Sequence, residues 1–235
     1  GAFRVAMFLM PEAANEMAWI FIILTTISVV YGAFGAIAQK DLKYINAYSS
    51  VSHCGLVLFA VLMMNQHAMG GAILQMISHG LMTALFFALI GMIYGRTHTR
   101  MINEMGGLMK LIPFLSVAYV MAGLASLGLP GFSGFVAEMS IFFGAFQHPD
   151  LFHRIATIIA VTSIVITAVY ILRVVGILLL GPIRDNHFDN LNDAKWYERL
   201  SVVALLAGII YIGMAPLGLA SMIKESLMPI VDKLI

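Results

Sequence analysis

"SLGLPGFSGFVAE", Ser126 to Glu138, lies inside a stretch from Leu111 to Gln147 whose only charged residue is Glu138 itself. One proline and three glycines break an apolar helix, and a carboxylate follows within two turns. In lipid, a broken helix strands backbone amides and carbonyls, each at a cost of several kcal/mol. Such a break is tolerated where it is buried in protein or lines a hydrated cavity. An intramembrane carboxylate obeys the same logic, facing the interior of a bundle where it meets a partner or water. The break and Glu138 therefore predict one shared polar cavity.

The rest of the composition makes the bilayer the solvent. Of 235 residues, 61% are hydrophobic and only 11% charged, too little charge for a soluble chain of this length. A net charge of +1 with no basic cluster gives no footprint for nucleic acid. A lone cysteine, Cys54, excludes an internal disulfide and an all-cysteine iron–sulfur site. Phosphate loops, dinucleotide fingerprints and metal-spaced His/Cys clusters are not evident, so no cofactor and no metal are expected in this chain. Redox chemistry, if any, is expected in a partner. The opening "GAFRVAMFL" is too short to span, and no charged leader with a cleavage site marks it as a signal peptide. It is expected to be a truncated helix, the chain being the C-terminal part of something longer.

Hydrophobic runs then organise the chain as a single all-α polytopic membrane domain over 1–235. Residues 18–39 lack any charge for long enough to make one span of roughly 33 Å. The long charge-free run after Lys43 splits at the polar, glycine-rich "NQHAMGG" into helices 44–64 and 68–95. Residues 111–147 would form a straight helix of about 55 Å, well beyond a hydrocarbon core of about 30 Å. A break at Gly128–Gly131 resolves this. Helices 155–180 and 200–223 follow, then an amphipathic tail, 224–235. The expectation is six full membrane helices, one of them discontinuous, plus the end of a preceding one at 1–9. Leaving aside Arg173 within its helix, Lys and Arg divide eight to four between the two sides whether 111–147 crosses once or twice. The bias therefore puts the Lys40 and Arg96–Lys110 loops in the cytoplasm but leaves the crossing number open. Leu-Pro-Gly-Phe is too apolar for headgroups, so one interrupted span is expected.

Three consecutive spans each carry a titratable group at depth. His53 lies about nine residues into its helix and His79 about eleven into the next, roughly 14–17 Å down. With Glu138 they have the profile of a proton relay, and Ser78 and Thr83 lie close enough in sequence to help hold water. A single membrane histidine is more often an interhelical hydrogen-bonding group, and a break alone can be a packing kink. Three groups at matched depth tip the reading towards function. Arg173 is expected to snorkel to the cytoplasmic interface. His67, His98, His148, His153 and His187 read as ordinary polar residues in loops or at interfaces. Gly70-Gly71 reads as a helix-packing face.

"AQKDLKYINAYSSVSHCG" (38–55), "QMISHGLMTALFF" (75–87), "GRTHTRMINEMGGL" (95–108) and "GLPGFSGFVAEMSIFFGAF" (128–146) together resemble the antiporter-like membrane subunits of respiratory complex I, the NADH:quinone oxidoreductase. The pattern, including "LGPIRDNHF", is closest to the subunit M branch, counterpart of the mitochondrial subunit 4. The resemblance implies the second half of an inverted-repeat fold of fourteen helices, from the end of helix 8 to helix 14. It implies that Glu138 is the acid of the outward half-channel and that His79 and His53 are the histidines of the central hydrophilic axis. The family's remaining key lysines and glutamate would precede Gly1, so this chain alone would not pump. Expected partners are the other membrane-arm subunits, including antiporter-like paralogues, and the lipid bilayer of a bacterial inner membrane. NADH, FMN, iron–sulfur clusters and quinone would sit in partner subunits. Two rival functions stay open: a subunit of a multi-subunit cation/proton antiporter, and a purely structural membrane anchor.

Overall fold

A computed structural model describes residues 1–184, 188 and 191–234. After a short helical segment, Ala2–Leu9, the chain forms α1 (Pro11–Ala38), α2 (Leu42–Leu62), α3 (Gln66–Thr97), α4 (Leu108–Leu111), α5 (Pro113–Ser126), α6 (Ser133–Phe146), α7 (Leu151–Leu178), α8 (Trp196–Met214) and α9 (Leu217–Val231). Five of these, α1, α2, α3, α7 and α8, are long and apolar enough to cross a membrane. The shorter apolar pair α5 and α6 makes the discontinuous helix.

Local chemistry sets the helix ends. Asp41 caps α2 by accepting from the Lys43 amide at 2.8 Å. Asn65 caps α3 through the Ala68 amide at 2.9 Å, and its Nδ2 reaches across to the Gly144 carbonyl at 3.0 Å. Proline opens α5 where its missing N–H is no loss, and the next two amides, of Phe114 and Leu115, donate to Asp193 at 2.8 and 3.4 Å. Pro216 ends α8 earlier than expected. In place of a span over 200–223 and a tail from 224, the helix stops at Met214 and a second one runs from Leu217 to Val231. Proline offers no N–H to continue the ladder and clashes with the preceding turn. Arg173 does not hang free at the interface: half-buried, it donates to the Ile37 carbonyl at the C-terminal end of α1.

Backbone contacts sort the connections to two ends of the bundle. Leu42 donates to the Arg100 carbonyl at 3.0 Å, Ile102 to that of Lys40 at 2.9 Å, and Met109 to that of Leu179 at 3.1 Å. Arg96 and Glu198 pair at 2.6 Å at the same end. The Asn65–Gly144 contact lies at the other end. α5 therefore starts at the first end and α6 finishes at the second, so the broken pair crosses once. Gly71 lets α3 lie against α6: a methyl group there would come within 2.7 Å of the Ile141 amide nitrogen.

The apolar core is not continuous from end to end. One cluster holds Leu42 and Ile45 of α2, Met82 to Ile93 of α3, Ala125 of α5 and Tyr170 of α7. A second holds Leu56 to Val61 of α2, Ala68 to Leu74 of α3, Ala137 of α6 and Ala160 of α7. Between them, every one of these helices switches to buried polar side chains. The gap is filled by Asn46, Ser49, Ser52 and His53 on α2, Gln75 and Ser78 on α3, Ser126 and Ser133 flanking the break, and Ser163 and Thr167 on α7. The break belongs to this layer. Burying so many polar groups costs free energy unless each finds a hydrogen-bond partner, and Ser49, Ser52, Gln75, Ser78, Ser133 and Ser163 do. His187, in the polar loop after α7, and the tail's last residue, Ile235, lie outside the described residues.

Candidate functional site

His53, His79 and Glu138 converge in the polar layer. His53 is 6% and Glu138 7% exposed, so neither faces acyl chains. His53 Nδ1 lies 3.7 Å from Glu138 Oε1. The rings of His53 and His79 have centroids 5.2 Å apart, tilted by 35°. His53 is thus the middle member of the row His79–His53–Glu138, with each neighbour on a different helix.

The break shapes the acid's seat. Gly128 sits in the left-handed region at φ +63°, and a Cβ there would meet Glu138 Oε2 at 2.5 Å. A side chain at 128 would displace the carboxylate, so glycine serves both the turn and the acid. Ser133, opening α6, bonds Ser78 of α3 at 2.7 Å, which fixes the second half of the broken helix against α3.

Surrounding polar groups orient the row. The Gln75 side-chain amide lies within hydrogen-bonding distance of His53 Nδ1, at 3.1 Å, and holds that edge of the ring. Thr83, one turn after His79, places its Oγ1 3.2 Å from Nε2 of that ring. Ser49, one turn before His53, pairs with the Tyr170 hydroxyl at 2.6 Å. His53 Nε2, Gln75 Oε1, Ser126 Oγ and Asn46 Nδ2 are buried with no partner among the described protein atoms. Buried polar atoms of this kind are ordinarily satisfied by ordered water. A cavity of about 10 Å³ lies between Ser52, His53, Ser126, Glu138, Ser163 and Thr167. That is about the space one water centre needs.

Such an arrangement can pass protons. Each imidazole can take a proton on one nitrogen and release one from the other, and hydroxyls and a water bridge the gaps too long for a direct hydrogen bond. At 3.7 Å, His53 and Glu138 are just beyond one. The sequence points to the three titratable residues but not to Gln75 and Tyr170. For Gln75 a signal exists: it precedes His79 by four residues and so shares its helix face. Nothing local marks Tyr170, whose role depends on α7 packing beside α2.

Of the remaining histidines, His67 begins α3 edge-on to Phe143, and His98 ends it in a left-handed conformation at φ +55°. His148 and His153 are not ordinary solvated residues. Their rings stack 3.7 Å apart beside Asp150, and together the three form a metal-ligand-spaced group. The spacing His-x-Asp-x-x-His escapes notice because a loop and one helical turn share no fixed period.

A family model described as "NADH:quinone oxidoreductase/Mrp antiporter, TM" matches residues 1–167. The chain is 36% identical over 216 residues to NADH-quinone oxidoreductase subunit M of Rickettsia bellii (strain RML369-C), covering 92% of this chain and 43% of that protein. It is 37% identical over 215 residues to NAD(P)H-quinone oxidoreductase chain 4 of Gloeobacter violaceus, covering 88% of this chain and 40% of that protein. It therefore spans less than half the length of these relatives. Among solved structures, a chain of respiratory complex I from Thermus thermophilus with bound NADH superposes with a TM-score of 0.92 at 26% identity, over 100% of this chain and 48% of that one. A chain of the Mrp complex from Dietzia sp. DQ12-45-1b shares the fold, with a TM-score of 0.85 at 18% identity over 99% of this chain and 50% of that one.

Proposed function

Because this chain belongs to the NADH:quinone oxidoreductase/Mrp antiporter transmembrane family, we propose that it carries the outward half of a proton path in the membrane arm of an NADH:quinone oxidoreductase. One observation carries the proposal: His53 stands between His79 and Glu138 in a buried polar layer that divides the apolar core. In this reading a proton arriving at His79 passes to His53, then through the neighbouring cavity to Glu138, which releases it outward. Gln75 positions His53 and Thr83 positions His79. The serines and threonines around the cavity stabilise the moving charge by reorienting their hydroxyls.

The subunit's part is translocation without redox chemistry. NADH, FMN, iron–sulfur clusters and quinone belong to partner subunits, whose conformational or electrostatic changes drive the relay. The partners are the other membrane-arm subunits, with antiporter-like paralogues adjacent, in a bacterial inner membrane. Relatives 36% and 37% identical carry oxidoreductase-subunit names, which favours this over a subunit of a multi-subunit cation/proton antiporter.

Glu138→Gln in the full-length subunit of the assembled complex tests it. The amide keeps the shape and cannot carry a proton. NADH-driven proton uptake into inverted vesicles should fall by roughly 10²-fold on this path, the usual worth of a proton-transfer group, while the complex still assembles. Unchanged uptake per NADH would refute the exit role. Proton flux driven by a sodium gradient without NADH would instead support the antiporter.

A further inference from the structure

Outside the polar layer, the chain holds a second cluster of chemistry-bearing side chains that proton transfer does not use. His148 lies in the link between α6 and α7, Asp150 immediately before α7, and His153 in its first turn. The geometry points to a divalent-cation site of the zinc class built from His148 Nδ1, His153 Nδ1 and an Asp150 carboxylate oxygen, at the end of the bundle where α6 finishes.

Four observations carry it. The three ligand atoms all lie within 4.8 Å of one another. Asp150 Oδ2 stands 3.6 Å from His148 Nδ1 and 3.4 Å from His153 Nδ1. Two ligands on one tetrahedral zinc, at about 2.0–2.1 Å each, are themselves about 3.3 Å apart, so the Asp150–imidazole spacings suit a shared ion. The rings stack nearly parallel, so binding would turn the loop residue His148 out of its stack until both in-plane Nδ1 lone pairs meet the metal. Both Nδ1 atoms are buried and have no hydrogen-bond partner among the described atoms. Asp150, although it stands at the N-cap of α7, makes no side-chain cap and keeps its carboxylate for the imidazoles.

The neighbourhood is compatible with a cation. Arg154 is held by the His148 carbonyl through Nε at 2.9 Å and lies over the Phe146 ring. Phe152 packs edge-on to His153 and fixes that ring's orientation. Two imidazoles and one carboxylate suit zinc, and copper or nickel by the ordinary affinity order, rather than calcium or magnesium. Three protein ligands leave a fourth position for water. An ion here would clamp the link between α6, which bears Glu138, and α7. Whether the site binds metal is independent of the proton path.

The test uses the full-length subunit in its purified complex, stripped with chelator, incubated with zinc chloride and freed of excess metal on a desalting column. Wild type should retain one more zinc per complex than His148→Ala/His153→Ala, and Asp150→Asn should weaken retention by roughly tenfold or more. X-ray absorption of the wild type minus the double variant should fit imidazole nitrogen and oxygen ligands. Asp150→Asn preserves the size of the loop residue, so its result stands even if the double variant assembles poorly. Equal zinc in the wild type and Asp150→Asn complexes, or a difference spectrum dominated by sulfur, would overturn the site.

Discussion

At the scale of single residues, the site turns on a glycine as much as on the titratable groups. Gly128 holds a backbone conformation that costs an L-residue about 1–2 kcal/mol, and its missing side chain is where the Glu138 carboxylate lies. Gly128→Ala should therefore act on the acid without touching its charge. Proton uptake per NADH should drop as it does in Glu138→Gln, whereas Gly131→Ala, at another positive φ but with open space around it, should bring strain alone. Comparing the two variants in inverted vesicles separates displacement of the acid from strain in the turn. Equal uptake in both would remove Gly128 from the site. The titratable residues are legible in the sequence because each is the lone such group in a long apolar run. Gln75 and Ser126 are not, because a neutral polar side chain is common in membrane helices, and its depth matters only once four helices align their polar stretches.

At the scale of elements, the start of the broken helix depends on a residue far along the chain. Asp193 satisfies the first free amides of α5, those of Phe114 and Leu115, from the loop before α8. Removing such a cap costs about 1 kcal/mol. Asp193→Ala should thus speed amide exchange in the first turn of α5 by roughly fivefold. Exchange in α6 should stay unchanged, because its start is held separately by Ser78 and Ser133. Mass spectrometry of peptides covering 113–118 and 133–146 reads both, and protection at Phe114 that does not change would dismiss the cap. The discontinuity itself is readable from Pro130 and its flanking glycines, since no straight helix of that length fits a bilayer. The division of the last span at Pro216 is less readable. A proline late in a membrane helix can be absorbed as a kink, and only the non-helical backbone at Ala215, between α8 and α9, distinguishes the two.

For the molecule as a whole, the direction of the relay rests on the discontinuous helix crossing once. Charge bias is silent on this, because the tally of Lys and Arg is the same for one crossing or two. Packing decides it. Asp193 holds the start of α5 at the end that gathers Lys40, Arg96 and Arg100, while Asn65 holds Gly144 at the opposite end. His148–His153 must then face away from the Thr99 loop. A full-length subunit with every cysteine removed, Cys54 of this chain included, and a single new cysteine as Thr99→Cys or Pro149→Cys, reports this directly. A membrane-impermeant maleimide should label Pro149→Cys from outside right-side-out vesicles and Thr99→Cys only in inverted ones. Labelling of both from the same side would mean that α5 and α6 each turn back. Glu138 would then open towards the same compartment as the basic loops, and a path running outward through it would have no exit.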